Sequence, residues 1–315
     1  MQRKIEFFKF LLSFLFGIFA FVFWSSIFSG SILAPAIAQI PLISLSNGQS
    51  ILAEFRAGVD LVSSVPAGLS RSENPLEGTR GVIRGDDRLP VISRSYPWSA
   101  IGRVEFQDEN GDGYICTGTL VKPDIVLTNA HCAVNPDTGR LFQNIRFAPN
   151  LIDGRLKDED DRANAIDLLA GTDFRDSNEP PHPDDWAFLQ LDKPLGEKYG
   201  TIGWQALPLP VLINNPEQFI MVGYSGDFPA SNPGATASAH EGCSILGSVN
   251  DSVLRHNCDT TGGSSGGPIL ALIDDQYTIV AVNSSEWADP ASGAGIVNFA
   301  TKISRIVEQL QAKVR

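Results

Sequence analysis

The stretch TTGGSSGGPIL, Thr260 to Leu270, sets two adjacent serines between paired glycines. Repeated glycine and serine commonly make a flexible linker, but one of these hydroxyls can also be a nucleophile. A serine hydroxyl attacks poorly at neutral pH unless a base takes its proton, usually a histidine oriented by a buried carboxylate. Both residue types stand upstream. His131 lies in IVLTNAHC, at the end of an apolar run and beside a cysteine, a setting suited to a fixed imidazole. Asp185 lies in PDDWAFLQL, immediately before an alternating run that would hold its carboxylate at a sheet edge. With Ser265 they supply a base, an orienting acid and a nucleophile for acyl transfer. Asp184 competes for the acid and Ser264 for the nucleophile, while His182, among prolines, reads as a surface residue.

These residues need elements to position them. From about residue 95 onward come short runs rich in β-branched and aromatic residues, separated by turns: AIGRVEF, YICTGTLV, DIVLTNA, NIRFA, WAFLQL, FIMVGYS, YTIVAVN and GIVNFA. No long amphipathic helix lies between them, so the pattern predicts an all-β barrel or sandwich and not βαβ units. One clear helix is predicted at the end, where Ile303, Ile306, Val307, Leu310 and Val314 fall on one face. Residues 153–185 are acidic and proline-rich and predict a long surface excursion. The run DENGDG, Asp108 to Gly113, opens like a calcium loop, but Thr119 stands where a glutamate should close it, so a hairpin turn is the expectation. The acidic run KDEDD, Lys157 to Asp161, reads as a solvated loop.

With 315 residues, 43% of them hydrophobic, the chain can bury a sizeable core, and its formal charge of -12 opposes binding to a phosphate backbone. Arg3, Lys4 and Lys9, then LLSFLFGIFAFVFWSSIF, then Ala36 and Ala38 have the order of a secretory signal peptide, predicted over residues 1–38. An uncleaved anchor is the rival, since the apolar run approaches spanning length. Residues 39–81 lack sustained periodicity and read as a propeptide or linker. In an exported chain Cys116, Cys132, Cys243 and Cys258 predict two disulfides. Three connectivities are possible and spacing does not choose; the sequential one places each pair beside a candidate catalytic segment. No metal site is expected, because there is no Cys-x-x-Cys and the histidines are scattered.

TNAHC, DDWAFL and GGSSGGP, in that order, resemble the three catalytic segments of the trypsin-like serine proteases. The order is that of the family and differs from the serine, acid, histidine order of the α/β-hydrolases. The resemblance implies two six-stranded antiparallel β-barrels with the active site in the cleft between them. Over residues 82–315 it places one barrel at about 95–195, a second at about 200–300, and a terminal α-helix at about 301–314. It assigns His131 as general base and acid, Asp185 as its orienting group and Ser265 as nucleophile. It also assigns the N–H groups of Gly263 and Ser265 as an oxyanion hole, and it supports the Cys116–Cys132 pair. The implied function is an exported serine endopeptidase working through an acyl-enzyme. The alternative is a silent homologue that binds a protein partner. No cofactor and no nucleic acid are expected; the partners are protein or peptide substrates, the protein is expected to be a monomer, and the location is secreted or periplasmic.

In trypsin the residue before the nucleophile is an aspartate that pairs with the new amino terminus after zymogen cleavage; here it is the uncharged Ser264. With VIRGDDR and YPWSAIGRVE upstream, the chain most resembles the bacterial glutamyl endopeptidase branch, whose mature terminus falls near the residue matched by Val82. That branch carries a histidine in the pocket strand, and the matching residue in IVAVNSSEW is Asn283, which cannot supply the same charge complementarity. Asp259 falls, by counting, where trypsin keeps the aspartate that selects basic residues. Glu286 is a second acidic candidate, with Ser284 beside it. The expectation leans to cleavage after basic residues.

Overall fold

The computed structural model describes residues 81–314. The signal-peptide expectation for 1–38, and all of the propeptide expectation except Gly81, lie outside these residues. After a short strand β1 (Arg88–Pro90), six strands follow: β2 (Ile101–Gln107), β3 (Gly113–Lys122), β4 (Ile125–Thr128), β5 (Gln143–Pro149), β6 (Ala163–Ala170) and β7 (Ala187–Leu191). They close into an antiparallel barrel in the order β2-β3-β4-β7-β6-β5, with β5 returning to β2. Its interior is apolar: Val104, Leu120, Val126, Phe147 and Leu189 are all buried. Closure removes the sheet edges that would otherwise need covering.

The second half adds β8 (Gly203–Trp204), β9 (Phe219–Gly223), β10 (Ser238–Cys243), β11 (Ile245–Ser248), β12 (Val253–His256), β13 (Pro268–Ile273), β14 (Gln276–Ala288) and β15 (Gly295–Lys302). Six antiparallel strands in the order β10-β9-β13-β14-β15-β12 form its body. Beyond the six expected, β1 pairs with β10, β11 pairs with β12, and β8 runs parallel to β14. The two ends of the body meet where the Cys243–Cys258 disulfide joins them. Beside it, Asn257 N–H donates to the Ser244 carbonyl (3.2 Å) and Ser244 N–H to Asn257 Oδ1 (2.6 Å). The sheet therefore curls onto itself, and the fold is the mostly-β, two-barrel arrangement.

The terminal helix α3 spans Ile303–Val314, with α1 (Leu195–Tyr199) and α2 (Leu209–Ile213) as short helices ahead of it. Ile303, Ile306, Val307 and Leu310 bury the expected face, each such side chain contributing about 2 kcal/mol. Arg305 anchors the opposite side by a fork onto Asp184, at 2.6 and 3.1 Å. No described helix is long and apolar enough to cross a membrane. The excursion expected over 153–185 is interrupted: β6 lies within it, an apolar strand masked by acidic neighbours such as Asp167. DENGDG forms the hairpin turn between β2 and β3, where the Asp108 carboxylate accepts the N–H groups of Asn110 and Asp112.

Candidate active site

The register of the first barrel brings His131 and Asp185, the candidate base and acid, together. Thr128 at the end of β4 lies opposite Ala187 at the start of β7. The residues just outside these ends, the 3-10 turn Ala130–Cys132 and the approach to β7, are therefore neighbours. The Cys116–Cys132 disulfide pins that turn to β3, and Asn129 Nδ2 donates to the Asp185 carbonyl at 2.7 Å. His131 Nδ1 lies 2.8 Å from Asp185 Oδ2, and His131 backbone N–H donates to Oδ1 at 3.0 Å. The Ser284 hydroxyl adds a bond to Oδ2 at 2.7 Å. Asp185 is buried and His131 half-buried. With Nδ1 on the carboxylate, Nε2 is left for the cleft.

The chain has four histidines, and the others are placed differently. His182 Nδ1 accepts from Asp184 N–H, and His240 Nδ1 accepts from Asp259 N–H. His256 is wholly buried, and burial pushes its pKa down to about 4, which keeps it neutral. His182 is also not at the surface as its prolines suggested: it is 5% exposed, packs edge-on against Phe174 and lines the cleft.

Ser265 reaches the same cleft from the second half. A cavity of about 300 Å³ is lined by His131, Asp185, Ser265, Ser284, Glu286 and His182, among others. Ser265 Oγ rests on the Ser284 carbonyl at 3.2 Å. Ser264 is turned inward, 1% exposed, its hydroxyl 2.6 Å from that of Ser225. Carbonyls along the serine loop are tied down: Gly262 O accepts from Gly226 N–H (2.7 Å), Gly263 O from Thr117 Oγ1 (2.9 Å) and Ser265 O from Thr117 N–H (2.7 Å). Thr117 on β3 thus holds the loop across the two halves, a role that its place beside Cys116 in CTGT did not signal. The N–H groups of Gly263 and Ser265 donate to no other described residue. Gly263 has φ +99°, and a Cβ there would lie 2.4 Å from the Tyr224 carbonyl, so only glycine fits.

The four pocket candidates separate. Glu286 lines the small cavity and a larger one of about 770 Å³ adjoining it, together with Ser285 and Pro180. Ser284 lines the small cavity but spends its hydroxyl on Asp185. Asn283 is buried beneath the serine loop, its Nδ2 donating to Ser264 O and Thr260 Oγ1, both at 3.2 Å. Asp259 is turned away from both cavities: it is 2% exposed, and its two oxygens accept the backbone N–H groups of Ile83 (2.8 Å) and Asp87 (2.9 Å). Counting placed it in the pocket, but the amino-terminal strand segment, invisible to that count, claims its carboxylate.

The electrostatics of the pair follow from this packing. Burial disfavours the imidazolium, but the charge and hydrogen bond of Asp185, assisted by Glu286, outweigh it and hold the His131 pKa above its usual value. Burial likewise pushes Asp185 up, and the bonds from His131 and Ser284 overcome that and hold it below the usual carboxylate range. The arrangement can hold a proton on His131 beside a permanently ionised carboxylate.

Residues 116–282 match the family described as Trypsin-like peptidase domain, a stretch of more than half the chain. The chain is 23% identical to the CLIP domain-containing serine protease B4 of Anopheles gambiae over 278 residues, 78% of this chain and 74% of that protein. It is 23% identical to the tissue-type plasminogen activator of Mus musculus over 256 residues, 70% of this chain but only 43% of that protein. Among solved structures, a Glu endopeptidase in complex with MPD superposes with a TM-score of 0.58 at 21% identity, covering 74% of this chain and 98% of that one. A thermostable serine protease from an extremophilic microorganism gives 0.52 at 22%, covering 69% and 97%. These structural likenesses bear on the fold, and the family match on the activity: the chain belongs to the trypsin-like peptidase family and is a serine endopeptidase.

Proposed function

We propose that this endopeptidase works through the triad His131, Asp185 and Ser265. The observation that carries the reading is the 2.8 Å contact between Asp185 and His131 Nδ1 in a cleft that also contains Ser265. Turning about its Cα–Cβ bond away from the Ser284 carbonyl, Ser265 passes its proton to His131 Nε2 as Oγ attacks the peptide carbonyl carbon. The carbonyl π electrons move to oxygen, and that oxyanion is met by the N–H groups of Gly263 and Ser265. His131 then gives the proton to the leaving amine, the C–N bond breaks, and an acyl-enzyme on Ser265 remains. Water repeats the sequence with His131 as base, releasing the acid. A fluorophosphonate probe tests this: wild type and Ser264→Ala should label and Ser265→Ala should not. Labelling that survives Ser265→Ala, or a folded wild type that never labels, would overturn it.

Glu286 supports a preference for a basic side chain at the cleavage site, since it is the acidic candidate that lines both cavities. Its charge also raises the His131 pKa. Because kcat/KM requires neutral His131, activity should rise with pH through a midpoint above the ordinary histidine value of 6.5. Glu286→Gln removes a negative charge, so that midpoint should fall, and a peptide-library profile should lose its basic preference. An unmoved acid limb, or an acidic preference in wild type, would refute this assignment.

Export fits the two disulfides. In this reading residues 1–38 direct secretion, and the segment from residue 39 is removed by a cut somewhere around Arg80 to Val82. Gly81 and Ile83 are stitched to the second half, with Gly81 O accepting from Asn298 Nδ2 at 2.8 Å and Ile83 N–H held by Asp259. Amino-terminal sequencing of the secreted, active protein should find a start between Arg80 and Val82; a start at Gln39 with full activity would contradict it.

A further inference from the structure

The loop before the nucleophile lacks the aspartate whose ion pair completes the site in trypsin. A different buried ion pair lies one layer away. Arg88, on β1, has a side chain with 0% exposure. Its guanidinium grips Asp227 with both nitrogens, Nη1 to Oδ1 at 2.8 Å and Nη2 to Oδ2 at 3.0 Å. It also grips Asp86, through Nε to Oδ1 and Nη2 to Oδ2, both at 2.8 Å. Its charge lies 5.0 Å from the centre of the Phe228 ring. Nη1 makes a further bond to Thr261 Oγ1 at 3.3 Å, and that hydroxyl donates to Asp227. A buried, doubly bidentate arrangement of this kind holds its partners in one geometry, and removing one member leaves an uncompensated charge.

Both loops that meet at this cation feed the oxyanion hole. Thr261 O accepts the Ser264 N–H at 3.0 Å, and Gly226, the neighbour of Asp227, donates its N–H to Gly262 O at 2.7 Å. A peptide unit is planar and trans, with N–H and C=O on opposite sides. Fixing the Gly262 carbonyl on Gly226 therefore sends the Gly263 N–H the other way, where no described group takes it. There is room beside Gly262, where a built Cβ meets nothing within 4 Å, while at Gly263 a built Cβ would lie 2.4 Å from the Tyr224 carbonyl and 3.2 Å from Gly226 N. The Gly262 carbonyl is held by the hydrogen bond from Gly226, and Gly226 stands beside the carboxylate that Arg88 grips.

We propose that Arg88 is a positioning residue for catalysis, holding Asp227, and through it Gly226, so that the Gly262–Gly263 peptide presents its N–H to the oxyanion. The proposal rests on the triad reading above and goes beyond it. It makes the amino-terminal strand part of the catalytic apparatus, by a side chain rather than by a terminal amine.

The test compares Arg88→Ala, Asp227→Asn and Thr261→Val with wild type, measuring the rate of fluorophosphonate labelling per folded molecule, with the folded fraction taken from near-UV circular dichroism. Arg88→Ala and Asp227→Asn should label about tenfold or more slowly, and on a peptide substrate the loss should fall in kcat and leave KM nearly unchanged. Methylguanidinium should restore part of the rate to Arg88→Ala and none to Asp227→Asn. If folded Arg88→Ala and Asp227→Asn label at the wild-type rate, the proposal fails while the triad stands. If wild type does not label, the triad reading fails instead. Should Arg88→Ala not fold, Asp227→Asn and Thr261→Val decide: a slowed rate in both supports the proposal, and wild-type rates in both overturn it.

Discussion

Ser265→Ala is expected to lower kcat by about a millionfold, the loss seen when the nucleophile of such a triad is removed. The adjacent hydroxyl cannot replace it. Ser264 is adjacent in sequence, yet its hydroxyl points into the second half and bonds to Ser225. Ser264→Ala should therefore cost about 1 kcal/mol of stability for the lost buried hydrogen bond and leave turnover within a few-fold of wild type. The pair of measurements is decisive because the substitutions are chemically identical and one residue apart. Steady-state kinetics with a thermal melt for each variant makes the comparison, and a comparable loss of kcat in both would mean that the loop, not the nucleophile, had been disturbed.

Asp185→Asn should lower kcat by about ten-thousandfold with the fold intact. The carboxylate accepts donors on both oxygens: the His131 N–H on Oδ1, and His131 Nδ1 with the Ser284 hydroxyl on Oδ2. An amide of the same shape cannot do this. If its NH₂ takes the Oδ1 place, it faces the backbone N–H of His131, and two donors oppose each other. If it takes the Oδ2 place, it donates to Nδ1 and drives the ring proton to Nε2, the nitrogen that must accept the proton from Ser265. Asp184→Asn breaks only the ion pair to Arg305, about a quarter exposed on the arginine side, and should leave kcat near wild type. A loss of less than tenfold in Asp185→Asn would remove Asp185 from its assigned role.

Much of the fold was legible because its signals are local. The short runs rich in β-branched and aromatic residues around Ile101–Gln107, Phe219–Gly223 and Gly295–Lys302 became β2, β9 and β15, and the terminal apolar stripe became α3. Strands that lack such a run were not legible: β6 carries exposed Ile166 and acidic Asp167, and β12 holds Arg255 between buried neighbours. Their identity depends on the partner strand and not on their own pattern.

The sequence by itself determined the chemical cast. The order of TNAHC, DDWAFL and GGSSGGP, with glycines flanking the serine and a cysteine beside the histidine, is what nominates the proposed base, acid and nucleophile. Tertiary structure decided everything that depends on which way a side chain faces. Asp184 and Asp185 differ by one position, but only Asp185 meets the His131 turn, while its neighbour serves Arg305. Asp259 was counted into the pocket and instead anchors Ile83 and Asp87, more than 170 residues earlier in the chain. Arg88 had no signal at all, because a guanidinium acquires its role only when separate loops are folded against it. Residue type and order are carried along the chain, whereas burial, hydrogen-bond partners and direction belong to contacts between distant segments.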